Sequence, residues 1–417
     1  MGYAETIAYL LGLEASRGWD LKLERVRETL ARLGNPQDAI PSVLIAGTNG
    51  KGTTAALVAR ALSAQGHAVG LYTSPHLVHF TERILLEGRE ISRDKVVDLV
   101  ARIRAVAPPE QTGLTFFEMT TVLAFLAFAE AELEVCVLEV GLGGRLDATN
   151  VVEPTVSAIT SIGLDHQAWL GSTECEIALE KAGVFRPDRP TILGEGLSRD
   201  VQTVLQKRAA EVGAELIEPV VQSRDLQLIG PHMERNADTA AALLAALGSR
   251  CPGLAVAPAI RERAFARTRW PGRLDAQFFG MPLWIDGAHN LEAAVALREG
   301  LPVLSSGEPY RLLFAAMDDK PWRAIVSLLA ADASEVALVG LEQRRAVAPD
   351  ELATAFPNQA GVRKFDHPAA ALAAFARESS EAPVLVAGSL FLAGAVYEEI
   401  LESRGLQSIF EIGGGEF

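Results

Sequence analysis

Short apolar runs alternate with longer amphipathic stretches along nearly the whole chain. Short unbroken apolar runs read as buried parallel strands. Longer stretches with apolar residues at helical spacing read as the helices that cover them. Helices are predicted at 3–12 and 20–33, the second with Leu21, Val26, Leu30 and Leu33 inward and a stop at Gly34-Asn35-Pro36. A strand at 43–46 leads into a Gly-rich turn at 47–53, and the helix behind it carries Leu57, Val58, Ala61 and Leu62. Strands follow at 69–71 and 84–86. Ser92 caps a helix to about 106, closed by Pro108-Pro109, and LTFFE (114–118) opens a strongly apolar helix to about 131. A strand at 135–140 runs into GLGGRLDATN, and a strand at 155–161 precedes a helix at about 172–183. The alternation continues to about 266.

Residues 268–275, TRWPGRLD, interrupt it with Pro-Gly between charged residues and read as a linker. Strands are then predicted at 283–286, 310–316, 335–341 and 383–388, with helices between them and one at the end. At 417 residues the chain is too long for one ordinary core. The reading is therefore α/β in two domains, 1–268 and 276–417, joined by a linker at 269–275. The run Gly413-Gly414-Gly415 reads as a frayed tail.

Composition narrows the class. About half the residues are hydrophobic, which fits a globular chain. A formal charge of −15 without basic runs argues against a nucleic-acid footprint. The three cysteines are widely spaced, so neither a disulfide framework nor a metal cluster is indicated. Without a signal-peptide pattern or an apolar stretch long enough to span a bilayer, the expectation is a cytoplasmic protein away from membranes.

The turn at 47–53, GTNGKGT, carries the first chemistry. A strand, a Gly-rich loop, a Lys and a helix start are how a backbone holds a polyphosphate. Glycines let N–H groups approach, the helix N-terminus adds positive potential, and Lys51 reaches the terminal phosphates. It departs from the standard P-loop: Ile45 and Gly52 stand where that pattern has Gly and a hydroxyl residue, and the hydroxyl arrives one residue late, at Thr53.

Other polar groups sit just beyond apolar strands: Ser74 and His76, Glu139, and Asp165 with His166. Hydroxyl, carboxylate and imidazole can ligate Mg²⁺ beside a nucleotide, imidazole being the less usual ligand of a hard cation. Each His alone also suits a structural hydrogen bond, and Glu139 suits a buried salt bridge as well as a metal. By pattern, Lys181 reads as solvated, and Phe116 and Phe117 as core aromatics or a stacking platform. DGAHN (286–290) is another strand-end loop with Asp286 and His289, and Arg273 lies in the linker.

Taken together, GTNGKGT (47–53), TSPHL (73–77), FE (117–118), EVGLGGRLDATN (139–150), SIGLDH (161–166), EKAG (180–183), RWPGR (269–273) and DGAHN (286–290) resemble the folylpolyglutamate synthases. Within that family they look most like bacterial members with both dihydrofolate synthase and folylpolyglutamate synthase activity, in the wider Mur ligase superfamily. The resemblance implies a P-loop-type ATPase domain like the Mur ligase central domain, followed by a smaller Rossmann-like domain, with the active site between them. It implies ATP as co-substrate, an acyl-phosphate intermediate, and dihydropteroate or folates and L-glutamate as the other substrates. It assigns Gly47, Thr48, Asn49, Gly50, Lys51, Gly52 and Thr53 to the triphosphate. Ser74, Glu139 and His166, with Thr53, go to Mg²⁺, and Lys181 to a lysine often carbamylated in the family. Asn236, Arg273, Asp286 and His289 go to ATP or the reacting phosphate, and Thr115, Phe117, Asp147 and Ala148 to the pterin. A monomer is expected. Two departures stand out: Thr53 where the family has Ser, and Leu291 where it has Pro after DGAHN. Alternatives are a monofunctional folylpolyglutamate synthase, a peptidoglycan-precursor Mur ligase, and a nucleotide-binding module without turnover.

Overall fold

The structure, a computed structural model, describes residues 1–17, 22–305, 307–356, 361–378 and 380–412. The glycine tail and Leu21 lie outside the described residues. The chain divides into two compact units. The first comprises Met1–His76, Phe80–Asp225 and Glu234–Thr268, and the second Leu77–His79, Leu226–Met233 and Arg269–Phe417.

The first unit holds strands β1 (Ser42–Ala46), β2 (Val69–Tyr72), β3 (Ile84–Leu86), β4 (Arg89–Glu90), β5 (Val135–Glu139), β6 (Val156–Ile159), β7 (Pro190–Leu193) and β8 (Glu215–Ile217). Its helices are α1 (Tyr3–Arg17), α2 (Leu23–Arg32), α3 (Lys51–Gln65), α4 (Arg93–Val106), α5 (Pro109–Thr112), α6 (Phe116–Glu130), α7 (Gln167–Leu170), α8 (Glu174–Lys181), α9 (Arg199–Val212), α10 (Pro231–Arg250) and α11 (Pro258–Arg267), the first turn of α10 belonging to the second unit. The strands form one sheet in the order β4-β3-β2-β5-β1-β6-β7-β8. Only β3 and β4 run antiparallel to their neighbours. β1 and β5 are buried at every position, as strands covered on both faces must be.

Register places the chemistry. Tyr72 pairs with Leu138, Ile45 with Glu139 and Ala46 with Ile159. The carboxyl ends of β2, β5, β1 and β6 therefore stop at one level, with Ser74, Glu139, Gly47 and Ser161 at or just past the edge. In open parallel sheets that edge is where ligands bind.

The second unit has strands β9 (Asp275–Phe278), β10 (Pro282–Ile285), β11 (Tyr310–Phe314), β12 (Ala333–Val339), β13 (Val362–Phe365) and β14 (Val384–Ala387), in the order β13-β12-β11-β14-β10-β9. Its helices are α12 (Leu291–Ser305), α13 (Trp322–Ala330), α14 (Pro349–Ala353), α15 (Pro368–Ala376) and α16 (Leu390–Arg404). Here β9 alone is antiparallel. β4, β9 and β13 escape the hydrophobic pattern because they are half-exposed edge strands carrying charge, which suits an edge and hides a strand from an apolar count. Pro109 begins the short α5 at its first position, where a missing N–H costs nothing.

Candidate active site

The turn after β1 is held from both sides. Gly47 has φ +148°, and a Cβ there would lie 1.9 Å from Thr160 Oγ1. Gly50 has φ +87°, and a Cβ there would lie 2.3 Å from Asn236 Oδ1. Both positions thus require glycine for conformation and for space. The end of β6 stitches the loop in place. Thr48 N–H donates to Ser161 O and Asn49 N–H to Ser161 Oγ, both at 2.9 Å, while Thr160 Oγ1 donates to Asn49 O at 2.6 Å. Thr48 Oγ1 also accepts from Gly163 N at 3.0 Å. Lys51 opens α3 and donates from Nζ to Thr48 O at 3.1 Å. A helix start of this kind offers N–H groups and positive potential to an anion.

Thr53 is the third residue of α3, buried, and its Oγ1 has no hydrogen-bond partner. An orphaned hydroxyl beside a phosphate loop fits a ligand group that the protein itself does not supply. The threonine standing where the resemblance expects serine keeps that oxygen.

Lys181 is not solvated. It is buried at the end of α8, and its Nζ donates to Gly47 O at 2.9 Å. Burial, then the charge of Lys51, pushes its pKa down from the ordinary 10.5 to about 7. Two loops interlock to carry it there. A Cβ on Gly144 would lie 2.8 Å from Lys181 O, and one on Gly183 would lie 2.2 Å from Arg145 Cα. Arg145 N–H closes the contact on Glu180 O at 2.9 Å. The glycines of GLGG and EKAG therefore serve close backbone packing that seats the lysine against the Gly-rich loop.

Glu139 is buried at the end of β5 and accepts from Ser74 N at 3.1 Å, which joins two of the expected metal ligands. His166 begins α7 in the left-handed region, φ +50°, with its ring 4.0 Å from Asp165 Oδ2. Its side chain is about a third exposed. His76 Nδ1 accepts from Arg83 Nε at 2.7 Å, the structural role open to any single histidine. Among the described residues no three His, Cys, Asp or Glu side chains converge as a metal centre. A divalent cation here would draw on hydroxyl and phosphate oxygens as well, as Mg²⁺ commonly does.

The four residues assigned to a pterin differ in kind. Thr115 caps α6 in a capping box with Glu118, and Glu118 also pairs with Arg25 at 2.7 Å. Asp147 is fully buried and accepts from Leu142 N, Thr149 N and Thr149 Oγ1 at 2.6–2.9 Å. Both its oxygens are engaged in shaping the GLGGRLDATN loop, and burial raises its pKa. Ala148 is buried in the short 3₁₀ turn that follows. Phe117 is half-buried, its ring against the backbone of Gly141, where a Cβ would lie 2.4 Å from Cζ.

In the second unit Asp286 is buried and accepts from Leu274 N and Ala288 N, both at 2.7 Å. It ties Leu274, in the stretch that the sequence reads as a linker and that lies within the second unit, to the DGAHN loop, and burial raises its pKa. His289 Nδ1 lies 2.8 Å from Gly287 O. A carbonyl only accepts, so Nδ1 carries the proton and Nε2 faces elsewhere. Arg273 Nη1 donates to Gly272 O at 3.0 Å. Sequence reasoning did not single out Arg25, Thr160 or Tyr397. Their roles depend on partners remote in the chain, which no local pattern reveals.

A parallel sheet ending in this Gly-rich loop, in a chain with a second α/β unit, is the make-up of a ligase of the Mur type. The model of the Mur ligase middle domain matches residues 45–192, and that of the Mur ligase glutamate ligase domain matches 275–390. The dihydrofolate synthase/folylpolyglutamate synthase of Escherichia coli K12 is 34% identical over 415 residues, covering 95% of each chain. The folylpolyglutamate synthase of Lacticaseibacillus casei is 31% identical, covering 97% of this chain and 100% of the other. The structure of E. coli FolC with DHPP and ADP superposes with a TM-score of 0.86 at 33% identity, covering 97% of this chain and 100% of that one. The bifunctional Yersinia pestis enzyme complexed with AMPPNP and Mn gives 0.85 at 31% identity, covering 97% and 98%. The chain belongs to the dihydrofolate synthase/folylpolyglutamate synthase family.

Proposed function

We propose that this protein joins L-glutamate to dihydropteroate, giving dihydrofolate, and to the γ-carboxylate of folates, extending a polyglutamate tail. The observation that carries the reading is the phosphate loop at 47–53, pinned by Thr160 and Ser161 with the buried Lys181 beneath it, in a chain of this family.

A carboxylate resists attack by an amine, because oxide leaves poorly and the anion repels the nucleophile. In this reading a carboxylate oxygen of the substrate attacks the terminal phosphorus of ATP, the bond to the bridging oxygen breaks, and ADP departs. The amine of L-glutamate then attacks the acyl phosphate at its carbonyl carbon. The C–N bond forms, phosphate leaves with the C–O electron pair, and the amine gives up a proton. Gly47 to Thr53 and Lys51 hold the transferring phosphates, Asn236 contacts the nucleotide beside Gly50, and Arg273 and His289 act on ATP or the phosphoryl group. Asp286 serves by fixing the loops that present them. Thr53, Ser74, Glu139 and His166 would hold Mg²⁺, which neutralises charge on the phosphate oxygens. Phe117 faces the pterin, with Thr115, Asp147 and Ala148 shaping its surroundings.

A lysine with a pKa near 7 is neutral often enough to attack CO₂, forming a carbamate and releasing a proton. The depressed Lys181 supports that modification, which would turn a cation into a carboxylate-like group beside the metal. The reading includes action as a cytoplasmic monomer. Among the described residues no helix is long and apolar enough to cross a membrane.

Purified protein given MgATP, L-glutamate and dihydropteroate should release ADP in a dihydropteroate-dependent way, and should do the same with a reduced folate. Release with folate alone reduces the reading to a monofunctional synthase, and release with neither overturns it.

A further inference from the structure

We propose that Tyr397, on the C-terminal helix α16, is a positioning residue for Arg273: its hydroxyl locks the backbone of the linker that presents the guanidinium. The inference rests on the reading that Arg273 acts on ATP.

Tyr397 is fully buried on a face of α16 otherwise made of Leu392, Ala393, Val396, Ile400 and Leu401. Phenylalanine would fill that volume without a polar atom to satisfy, so the hydroxyl needs its own explanation. Its oxygen accepts from Gly272 N at 2.8 Å and lies 2.6 Å from Asp275 Oδ2. Gly272 N–H can only donate, so the hydroxyl proton goes to the carboxylate and the chain of bonds has one direction. Asp275 is held in turn by Arg269 at 2.8 Å and Gln277 at 2.9 Å. Burial, then the neighbouring Asp275, keeps the phenol proton in place well above its ordinary range.

The bond lands one residue before Arg273. Gly272 has φ +71°, and its carbonyl accepts from Gly287 N at 2.8 Å. Leu274, one residue after, has φ +47°, unusual for a branched side chain, and its N–H is taken by Asp286 at 2.7 Å. Arg273 N–H donates to Trp270 O at 3.2 Å. Arg273 thus sits between two residues in left-handed conformations. One is clamped by Tyr397 and Gly287, the other by Asp286. A left-handed Leu persists only where surrounding bonds hold it. The outcome is visible at the side chain: Arg273 Nη1 passes so close over Gly287 that a Cβ there would lie 2.8 Å away. Without Tyr397, Gly272 keeps only the bonds to its carbonyl, from Gly287 N and Arg273 Nη1, and glycine's wide backbone choice lets the aim of the arginine shift.

The test compares Tyr397→Phe, Arg273→Ala and the double variant in steady-state ATP kinetics and thermal melts. Tyr397→Phe should lower kcat/KM for ATP about tenfold. In the Arg273→Ala background the same change should cost nothing further in kcat/KM, yet lower Tm by the same amount as in the parent. Independent, multiplying losses in kcat/KM, or a Tm loss with unaltered kinetics, would overturn the proposal. Asp275→Asn, which keeps the volume, must show the same coupling if Tyr397→Phe folds poorly. Should Arg273→Ala alone leave ATP kinetics untouched, the assignment of Arg273 falls and this inference with it. A severe Arg273→Ala with additive Tyr397→Phe removes the positioning role alone.

Discussion

Thr53 and Lys181 show how much one side chain can carry at the edge of a sheet. Thr53 Oγ1 is buried and has no hydrogen-bond partner, so removing it costs the protein no internal bond. Thr53→Val should keep or slightly raise the melting temperature while increasing the Mg²⁺ concentration needed for half-maximal rate. A fall in stability with an unchanged Mg²⁺ titration would make the hydroxyl structural. Lys181 makes a prediction about pH. Its folded pKa is depressed from 10.5 to about 7, so between those values the unfolded chain binds more protons than the folded one. Stability from this group therefore rises with pH across that window, and below it the full cost of charging a buried amine is present. In carbonate-free buffer, Lys181→Met should flatten the rise in denaturant midpoint between about pH 7 and pH 10. An unaltered slope would mean the lysine is not held neutral. Local sequence marked the Thr53 hydroxyl but not the burial of Lys181. A lysine near the end of a helix looks solvated until Gly47 O is seen against its Nζ.

At the scale of elements, loops meet across long separations because glycines remove the atoms that would keep them apart. The backbones after β5 and at the end of α8 pass within contact at Gly144 and Gly183. Arg145 Cα cannot swing aside as a flexible side-chain tip could. Gly183→Ala should accordingly cost about 1–3 kcal/mol of stability. It should also move Lys181 from the phosphate loop, so ATP affinity falls more than global stability alone explains. Urea melts beside nucleotide titrations measure the two separately. The capping boxes at Thr115 and Thr173 were of the opposite kind, written in adjacent residues. The first was legible as LTFFE at a helix start. Edge strands were not legible, since β9 and β13 present polar residues where a buried strand would present apolar ones.

At the scale of the whole molecule, the proposed site would let an acidic chain hold an anionic substrate through fixed donors at one sheet edge rather than through net charge. Any ligand that binds only the folded protein stabilises it, by about 2.7 kcal/mol at a hundred times its Kd. MgATP should therefore raise Tm, and Lys51→Met should abolish most of that shift without lowering the Tm of the protein alone. A variant that melts early without nucleotide would instead give Lys51 a structural role through Thr48 O. The sequence alone determined the α/β class, the Gly-rich strand-to-helix turn, the core strands and, by resemblance, the family, because these rest on period, glycine placement and short motifs. Tertiary structure decided which motif side chains the fold itself engages. Asp147 and Asp286 carry the family's motif positions, yet their carboxylates are occupied by backbone N–H groups of their own loops. Lys181, bland in its helix, lies buried against the phosphate loop. A hydrogen bond depends on distance in space, and that distance exists only once strands far apart in the chain have paired.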